Sequence, residues 1–317
     1  MRLMIKSDEI TLIQNLGKFQ NNHLYMKRED TFPFSFGGNK ARKAKLFFDD
    51  IDRGSFDCVV TYGSSSSNHC RVIANMAAIR NMKCYIISPI EASEATYNSK
   101  IIDMFDVEKT VVPVKLVHET IEKKLEELKN RGCYPYFIGG GGHGSIGTQA
   151  YVNCYEEIRQ YEKENDVQFD YIFFASGTGT TQAGLVCGKL INKDDRKIVG
   201  ISIARKNPNG RNIVIDSIHE YLHVHNIYVL DKEIETATIF DDSYTGNGYA
   251  KDNDEIDKTI KDILLNYGIP LDPVYTGKAF SGMKHYIDEH EVGNKNLLFI
   301  HTGGTPLFFD FLYKYGD

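Results

Sequence analysis

The stretch YIFFASGTGTTQAGL, residues 171 to 185, combines the three features that decide the fold of this chain. Its apolar and aromatic start predicts a buried strand, and the Ser, Gly and Thr residues that follow predict a tight turn. The small and apolar residues after the turn predict a helix. Residues 177 to 181 therefore present hydroxyl and unhindered backbone N–H groups at a helix N-terminus, which suits a phosphate monoester.

Two nucleotide-binding motifs have a similar spacing, and each fails at one residue. The dinucleotide fingerprint requires a third glycine at the position of Gln182. The P-loop spacing runs from Gly179 to Gly184, but Leu185 stands where that motif requires a lysine. The turn therefore favours a phosphate that is not part of a nucleotide.

Strand and helix patterns alternate on both sides of this segment. The runs that predict strands are DCVVT (57 to 61), KCYIIS (83 to 88), KTVVPV (109 to 114), YIFFA (171 to 175), KIVGISI (197 to 203) and NLLFIH (296 to 301). The amphipathic stretches that predict helices cover residues 70 to 80, 117 to 130, 182 to 191, 255 to 267 and 306 to 315. This alternation predicts an α/β fold in which helices cover parallel sheets.

Length, composition and charge narrow the class of protein. The chain has 317 residues, 42% of them apolar and 25% charged, which is typical of a two-domain enzyme. A formal net charge of −6 without a basic cluster argues against a nucleic-acid partner. Six scattered cysteines without a C-x-x-C pair indicate reduced thiols, and no apolar run is long enough for a membrane span. We therefore expect a cytoplasmic protein with a small-molecule partner, no nucleic acid and no membrane.

Two further segments place reactive or polar groups at predicted helix starts. In FGGNKARK (36 to 43), a glycine turn precedes Lys40, and the positive end of a helix dipole favours the neutral amine that a Schiff base requires. In VVTYGSSSSNHCR (59 to 71), Ser67 or Asn68 is expected to cap a helix whose free N–H groups hold a carboxylate. Taken alone, the first segment is also compatible with a surface lysine and the second with an ordinary helix cap.

One motif indicates a different chemistry. His219, Glu220 and His223 spell H-E-x-x-H, which on a helix presents two imidazoles to a zinc ion. The same letters also arise by chance on a surface helix, and a zinc hydrolase leaves the glycine-rich and serine-rich turns unexplained. A zinc hydrolase is therefore a remote alternative, and we expect no metal.

Five motifs occur in order over nearly the whole chain: KREDTFPFSFGGNKARK, YGSSSSNHCR, SGTGTTQAG, DPVYTGKAF and HTGG. Together they resemble the D-cysteine desulfhydrase and 1-aminocyclopropane-1-carboxylate deaminase family of pyridoxal-phosphate enzymes. The resemblance implies the two-domain tryptophan-synthase-β-like fold (PLP fold type II), in which each domain is an open twisted sheet flanked by helices. We predict a large PLP-binding domain from residues 1 to 49 and 151 to 317, and a small inserted domain from 50 to 150. The resemblance also implies a homodimer.

The same resemblance implies roles for individual residues. Lys40 matches the lysine that holds pyridoxal 5'-phosphate as a Schiff base. The residues matched to cofactor binding are Lys40, Asn68, Gly177, Thr178, Gly179, Thr180, Thr181, Tyr275 and Thr276. Those matched to catalysis are Lys40, Ser67, Tyr249 and Tyr275, and those matched to substrate binding are Ser67, Asn68, His69, Tyr249 and Thr302.

Two positions favour one branch of the family. The cyclopropane deaminases have a glutamate and a leucine where this chain has Thr276 and Thr302. A glutamate keeps the pyridine nitrogen protonated, whereas a threonine hydroxyl supplies no counter-charge. The resemblance therefore implies α,β-elimination from a small amino acid. The first choice of substrate is D-cysteine, which gives pyruvate, ammonia and sulfide. Deamination of 1-aminocyclopropane-1-carboxylate and elimination from another β-substituted amino acid stay open as alternatives.

The chain also departs from the family pattern in two places. Ser66 stands where a glutamine is common, and the loop at 139 to 147 reads GGGGHGSIG in place of a shorter turn. His143 in this loop is a solvated residue, a helix-cap residue or a substrate contact, because binding residues often lie on loops. We expect these changes to reshape the substrate pocket.

Overall fold

The computed structural model describes residues 10–92, 95–245 and 254–313, and these residues form two separate sheets. The strands of the described residues are β1 (Ile13–Phe19), β2 (Asn22–Lys27), β3 (Cys58–Tyr62), β4 (Lys83–Pro89), β5 (Val107–Val112), β6 (Pro135–Ile138), β7 (Tyr171–Ser176), β8 (Lys197–Ser202), β9 (Ile239–Asp241) and β10 (Asn296–Ile300). The larger sheet has the order β1-β2-β10-β7-β8-β9, and the smaller sheet has the order β5-β4-β3-β6.

Helices cover both sheets. The α-helices of the described residues are α1 (Asn39–Arg53), α2 (Asn68–Ala78), α3 (Tyr97–Ile102), α4 (Val117–Asn130), α5 (Ser145–Asn165), α6 (Thr180–Asn192), α7 (Asn209–Val224), α8 (Asp231–Ala237), α9 (Asp254–Tyr267), α10 (Thr276–Glu289) and α11 (Thr305–Tyr313). Among the described residues, every helix is too short or too polar to cross a lipid bilayer.

The α/β prediction is confirmed, and all six predicted strands overlap observed ones. The strand predicted over residues 109 to 114 is observed two residues earlier and ends before Pro113, which has no N–H group for the ladder. The expectation of parallel sheets is wrong for one pair, because β1 runs antiparallel to β2. Only two residues connect these strands, and so short a connection forms a hairpin, whereas a parallel pair needs a longer crossover.

Alternate residues of β7 pack on opposite faces of the larger sheet. Ile172 and Phe174 belong to the apolar cluster formed with α5 and α6, whereas Phe173 belongs to the cluster formed with α10. Because helices cover both faces, the whole run is buried and no polar alternation appears in its sequence. Each fully buried phenylalanine contributes about 2 kcal/mol to this core.

Helix α1 lies between the two sheets. Phe47 and Phe48 belong to the cluster that covers one face of the smaller sheet, and Leu46 packs against the cluster of the larger sheet. The strands of the smaller sheet come from residues 58 to 138, and those of the larger sheet come from both sides of that segment. Positions 50 and 150 fall inside α1 and α5, and the predicted domain boundaries remain a prediction.

Buried charges tie α1 to its neighbours. Arg42 of α1 donates to Glu29 at 2.6 Å and to Glu157 of α5 at 2.5 Å. Lys27, at the end of β2, lies 2.8 Å from Glu157 and 3.7 Å from Glu29. Burial raises the pKa of Glu29, but Arg42 and Lys27 outweigh burial and lower it to about 2. This network holds α1 in position, and Lys40 lies in the first turn of that helix.

Candidate active site

A cavity of about 340 Å³ opens at the carboxyl ends of β3, β6, β7, β8 and β10. Neighbouring parallel strands end at the same edge of a sheet, and ligands of open α/β sheets bind at that edge. The predicted site residues that line the cavity are Lys40, Ser67, Asn68, His69, Gly177, Thr178, Gly179, Thr181, Tyr275 and Thr302. Thr180 and Thr276 are fully buried neighbours of lining residues. Tyr249 lies outside the described residues.

Lys40 lies in the first turn of α1 and reaches into this cavity. Gly38 caps the helix with a φ of 91°, and a side chain there would meet the Thr302 carbonyl oxygen at 2.7 Å. The Asn39 N–H donates to that same carbonyl, which fixes the helix against the turn after β10. The Lys40 amine donates to the Gly141 carbonyl at 3.0 Å, and desolvation by the surrounding protein lowers its pKa to about 8.

Lys43, one turn further along α1, is a residue that the sequence analysis missed. Its Nζ donates to the Thr180 hydroxyl at 2.7 Å and lies 5.6 Å from the centre of the Tyr151 ring. Burial, and then the charge of Lys40, lower the pKa of Lys43 well below its usual range. The signal in the sequence was the spacing of three residues from Lys40, which places both side chains on one side of the helix.

The turn at 177 to 181 forms the start of α6. Gly179 is its N-cap with a φ of 96°, and a side chain there would lie 3.1 Å from Ile213. The first N–H groups of a helix have no partner within the helix. The Asn39 side chain donates to the Thr181 hydroxyl at 3.1 Å and so joins the turn to α1. The turn therefore offers hydroxyl and N–H groups to an anion in the cavity.

The serine-rich turn after β3 forms another wall. Ser67 is the N-cap of α2, and its hydroxyl accepts from the Cys70 N–H at 3.2 Å, as the sequence predicted. His69 is buried, and its Nε2 lies 2.8 Å from the Thr61 hydroxyl. Thr61 donates its own hydrogen to a backbone carbonyl, so His69 must be the donor to Thr61. Burial and the two lysine charges lower the pKa of His69 well below its usual range, and its ring is therefore neutral.

Tyr275 and Thr276 mark the start of α10. The Thr276 hydroxyl donates to Asp272 at 2.7 Å and accepts from the Asp272 N–H at 2.9 Å. Asp272 also accepts from the N–H groups of Tyr275 and Val274. Burial raises the pKa of Asp272, against these hydrogen bonds. No pattern in the sequence singled out this carboxyl group, although it is the aspartate of the DPVY motif.

The residues of the H-E-x-x-H motif lie on the exposed side of α7. His219 lies 3.9 Å from the Asp231 carboxylate, and Glu220 and His223 face solvent. In the described part of the chain, the cluster with metal-ligand spacing is instead Glu29, Cys154 and Glu157, where Arg42 and Lys27 already pair with the carboxylates. This arrangement does not support the zinc-hydrolase alternative.

The two helix-covered sheets and the lysine at the edge of the shared cavity define an α/β enzyme with the type II fold of pyridoxal-phosphate enzymes. The family model described as pyridoxal-phosphate dependent enzyme matches residues 5–303. The chain therefore belongs to the pyridoxal-phosphate-dependent enzymes, in the group that includes D-cysteine desulfhydrases and 1-aminocyclopropane-1-carboxylate deaminase homologues. Pyridoxal phosphate is accordingly its cofactor.

Three similar proteins place the chain within that family. It is 33% identical to a D-cysteine desulfhydrase of Yersinia pestis (strain Pestoides F), over 94% of this chain and 91% of that protein. It is 30% identical to a putative 1-aminocyclopropane-1-carboxylate deaminase of Pyrococcus furiosus, over 97% of this chain and 91% of that protein. A crystal structure of an ACC deaminase homologue has a TM-score of 0.86 at 31% identity and covers 97% of this chain, with 93% of its own length matched.

Proposed function

We propose that this protein is a lyase that breaks down D-cysteine by α,β-elimination, with pyruvate, ammonia and sulfide as products. The observation that carries the proposal is the position of Lys40. Its amine, with a pKa lowered by burial, lines the same cavity as the turn at 177 to 181. The relatives named D-cysteine desulfhydrase support the choice of substrate.

The residues of the cavity fit pyridoxal 5'-phosphate. Its aldehyde needs a neutral amine, which Lys40 supplies, and its phosphate needs N–H donors, which the turn at 177 to 181 supplies. Tyr275 lines the same cavity. A volume of about 340 Å³ lies within the range of about 300 to 1,000 Å³ usual for small-molecule sites. When bound, the cofactor supplies an electron sink for the α-carbon of an amino acid.

Lys40 has a second task in this proposal. Its Nζ, once free of the cofactor, accepts the proton from the α-carbon of the substrate. The Gly141 carbonyl, 3.0 Å from Nζ, holds the amine at the cavity wall. The N-terminus of α2, capped by Ser67, binds the substrate carboxylate, because its backbone N–H groups and dipole favour an anion.

The remaining predicted site residues are assigned as follows. His69 and Thr302 line it, and we assign them to substrate binding. Tyr249 is assigned as a second catalytic tyrosine from the motif match alone. Thr276 is assigned to the ring nitrogen of the cofactor. Its hydroxyl donates to the Asp272 carboxyl group and already accepts from the Asp272 N–H, so one lone pair of its oxygen is left to accept from the ring. The Asp272 carboxyl group stands behind it as an indirect counter-charge.

A panel of amino acids tests the substrate. We expect pyruvate and sulfide from D-cysteine, with a kcat/KM at least about tenfold above that for L-cysteine, because one well-placed contact discriminates by this amount. Release of 2-oxobutyrate from 1-aminocyclopropane-1-carboxylate at a higher kcat/KM would replace the proposed substrate with the first alternative. Faster pyruvate formation from another β-substituted amino acid would replace it with the second.

The pH dependence of cofactor loading tests the Lys40 amine. The neutral amine is the form that attacks an aldehyde, and lysine loses its proton as pH rises through its pKa. With a pKa of about 8, the rate of attachment of pyridoxal phosphate to the cofactor-free protein should rise up to about pH 8 and then level off. Rapid-mixing absorbance measurements follow this rate. A rate that still rises near pH 10 would indicate an ordinary exposed lysine and contradict the assignment.

Three further proposals remain to be tested; the homodimer and the domain division rest on the family resemblance, and the location rests on the composition and apolar pattern of the sequence. We propose a homodimer, a cytoplasmic location, and a division into a large domain (1 to 49 and 151 to 317) and a small one (50 to 150). Light scattering of the purified protein tests the dimer. Limited proteolysis tests the domain division, because exposed linkers between domains are cleaved before the cores.

A further inference from the structure

Arg71 of α2 is fully buried, and no carboxylate of the described residues forms an ion pair with it. Desolvation lowers its pKa to about 9. Its partners are neutral: Asn98 at 2.8 Å, the Ser35 hydroxyl at 2.8 Å with the Ser35 carbonyl, and Asn68 at 3.4 Å. An unpaired buried charge is costly, so a role outside its own packing is expected for this side chain.

The hydrogen bonds around Arg71 run in one direction. A guanidinium group only donates, so the Asn98 oxygen must face Arg71. The Asn98 amide nitrogen then donates to the Ser66 carbonyl at 2.7 Å and to the Asn68 oxygen at 2.9 Å. This order leaves no choice in the orientation of the Asn68 amide, which is otherwise ambiguous for an asparagine.

Asn68 is the last member of this chain of hydrogen bonds and the one that lines the cavity. Its oxygen already accepts from Asn98 and Arg71, so its nitrogen is the end that remains for a ligand. That nitrogen donates to none of the described residues. The buried positive charge beside the Asn68 oxygen makes the remaining N–H a better donor, because linked hydrogen bonds polarise one another.

We propose that Arg71 is a positioning residue, which acts through Asn98 to hold the Asn68 N–H group toward the cavity as a donor for an anionic ring oxygen. This inference rests on the proposed function, in which Asn68 lies beside the cofactor ring. Pyridoxal phosphate carries one ionisable oxygen on that ring, its 3-hydroxyl. A hydrogen bond to the charged form favours that form, and bonds to charged groups are stronger than neutral ones.

The substitution Asn98→Asp tests the direction of these hydrogen bonds, because it replaces the NH2 group that donates to Asn68 with an oxygen. The new carboxylate pairs with Arg71 but has no N–H for Asn68, so the Asn68 amide turns its oxygen toward the ligand. The probes are 4-deoxypyridoxine 5'-phosphate, which lacks the aldehyde and binds without covalent attachment, and its 3-O-methyl ether. Equilibrium dialysis of the full cofactor-free chain measures both dissociation constants. This readout does not depend on enzyme activity.

In the unmodified protein, the probe with the free hydroxyl should bind at least about tenfold more tightly than its ether. In the Asn98→Asp variant this ratio should fall to about one. The control Asn75→Asp adds a charge to α2, two turns from Asn68, and should keep the ratio. Should Asn98→Asp not fold, Asn98→Ala also lacks the donor to Asn68 and should lower the ratio in the same direction.

Two outcomes separate the inference from the function on which it rests. An unchanged ratio in a folded Asn98 variant overturns the role of Arg71 and leaves the proposed function intact. Failure of the unmodified protein to bind either probe, or pyridoxal phosphate itself, overturns the proposed function and this inference with it. A merely structural role for Arg71 would weaken both probes equally, so it would also leave the ratio unchanged.

Discussion

Replacing Lys40 with alanine is expected to lower turnover by at least about 10³-fold, because in the proposed function the same amine attaches the cofactor and accepts the α-proton. The visible absorbance of the attached cofactor should disappear at the same time. Spectra of the purified variant and the rate of pyruvate formation measure both effects. A variant that keeps the absorbance and the turnover would show that Lys40 is not the attachment point.

Two other lysines of α1 make this test specific. The Lys45 amine forms an ion pair with the Asp49 carboxylate at 2.6 Å. Lys45→Ala should therefore leave the absorbance spectrum and the rate of pyruvate formation unchanged. Lys43 is the competing amine, because its pKa is also lowered by burial, but its Nζ is bonded to Thr180. In Lys43→Ala, borohydride reduction should therefore still add the cofactor mass at Lys40. If Lys43→Ala loses that mass while Lys40→Ala keeps it, Lys43 is the residue that attaches the cofactor.

Replacing Glu29 with glutamine is expected to destabilise the fold by about 3 to 5 kcal/mol, because it leaves Arg42 and Lys27 buried with one carboxylate in place of two. Chemical unfolding, followed by circular dichroism, measures the change. The exposed pair of Glu119 and Lys123 offers a control, and Glu119→Gln should change the stability far less, because solvent screens an exposed ion pair. Equal effects of the two substitutions would contradict a structural role for the buried network.

The same network predicts a dependence of stability on pH. The pKa of Glu29 is about 2 in the folded protein, against an ordinary value of 4.5. A lowered pKa adds stability that is complete above the ordinary value and is lost as pH falls from about 4.5 to about 2. This contribution is about 3 kcal/mol, so the unmodified protein should lose more stability over this range than Glu29→Gln does. Because α1 carries Lys40, activity should fall together with the fold.

Much of the site was predictable because its signals lie in contiguous residues. The strand, turn and helix around residues 171 to 185 follow from hydrophobic pattern and glycine content, and both are local properties. Ser67 was predictable as a helix cap for the same reason. Lys40 follows a glycine turn at a helix start, and the structure adds burial as the cause of its lowered pKa.

Other parts of the site depend on partners that are distant in the sequence. The spacing from Lys40 shows only that Lys43 shares its side of α1. The contact of Lys43 with Thr180, 137 positions away, and that of Arg42 with Glu157, 115 positions away, are not visible in the sequence. Arg71 reaches Ser35 and Asn98 from two different segments. A motif does not encode such pairs, because a helix pattern reveals which face is apolar but not which element packs against it.

The sequence by itself determined the alternation of strands and helices and the turns that follow the strands, because backbone geometry and hydrophobic period are written in neighbouring residues. Lys40 was singled out as the proposed cofactor lysine by the resemblance of its segment to a family motif. Only the tertiary structure decided that these turns line one cavity and that Arg71 and Asn98 form hydrogen bonds with Asn68. Parallel pairing brings the strand ends to one edge, and the packing of α1 between the two sheets closes the distances between remote side chains. The lowered pKa values of Lys40 and Lys43 also depend on the tertiary structure, because these two amines are desolvated only after both sheets are in place.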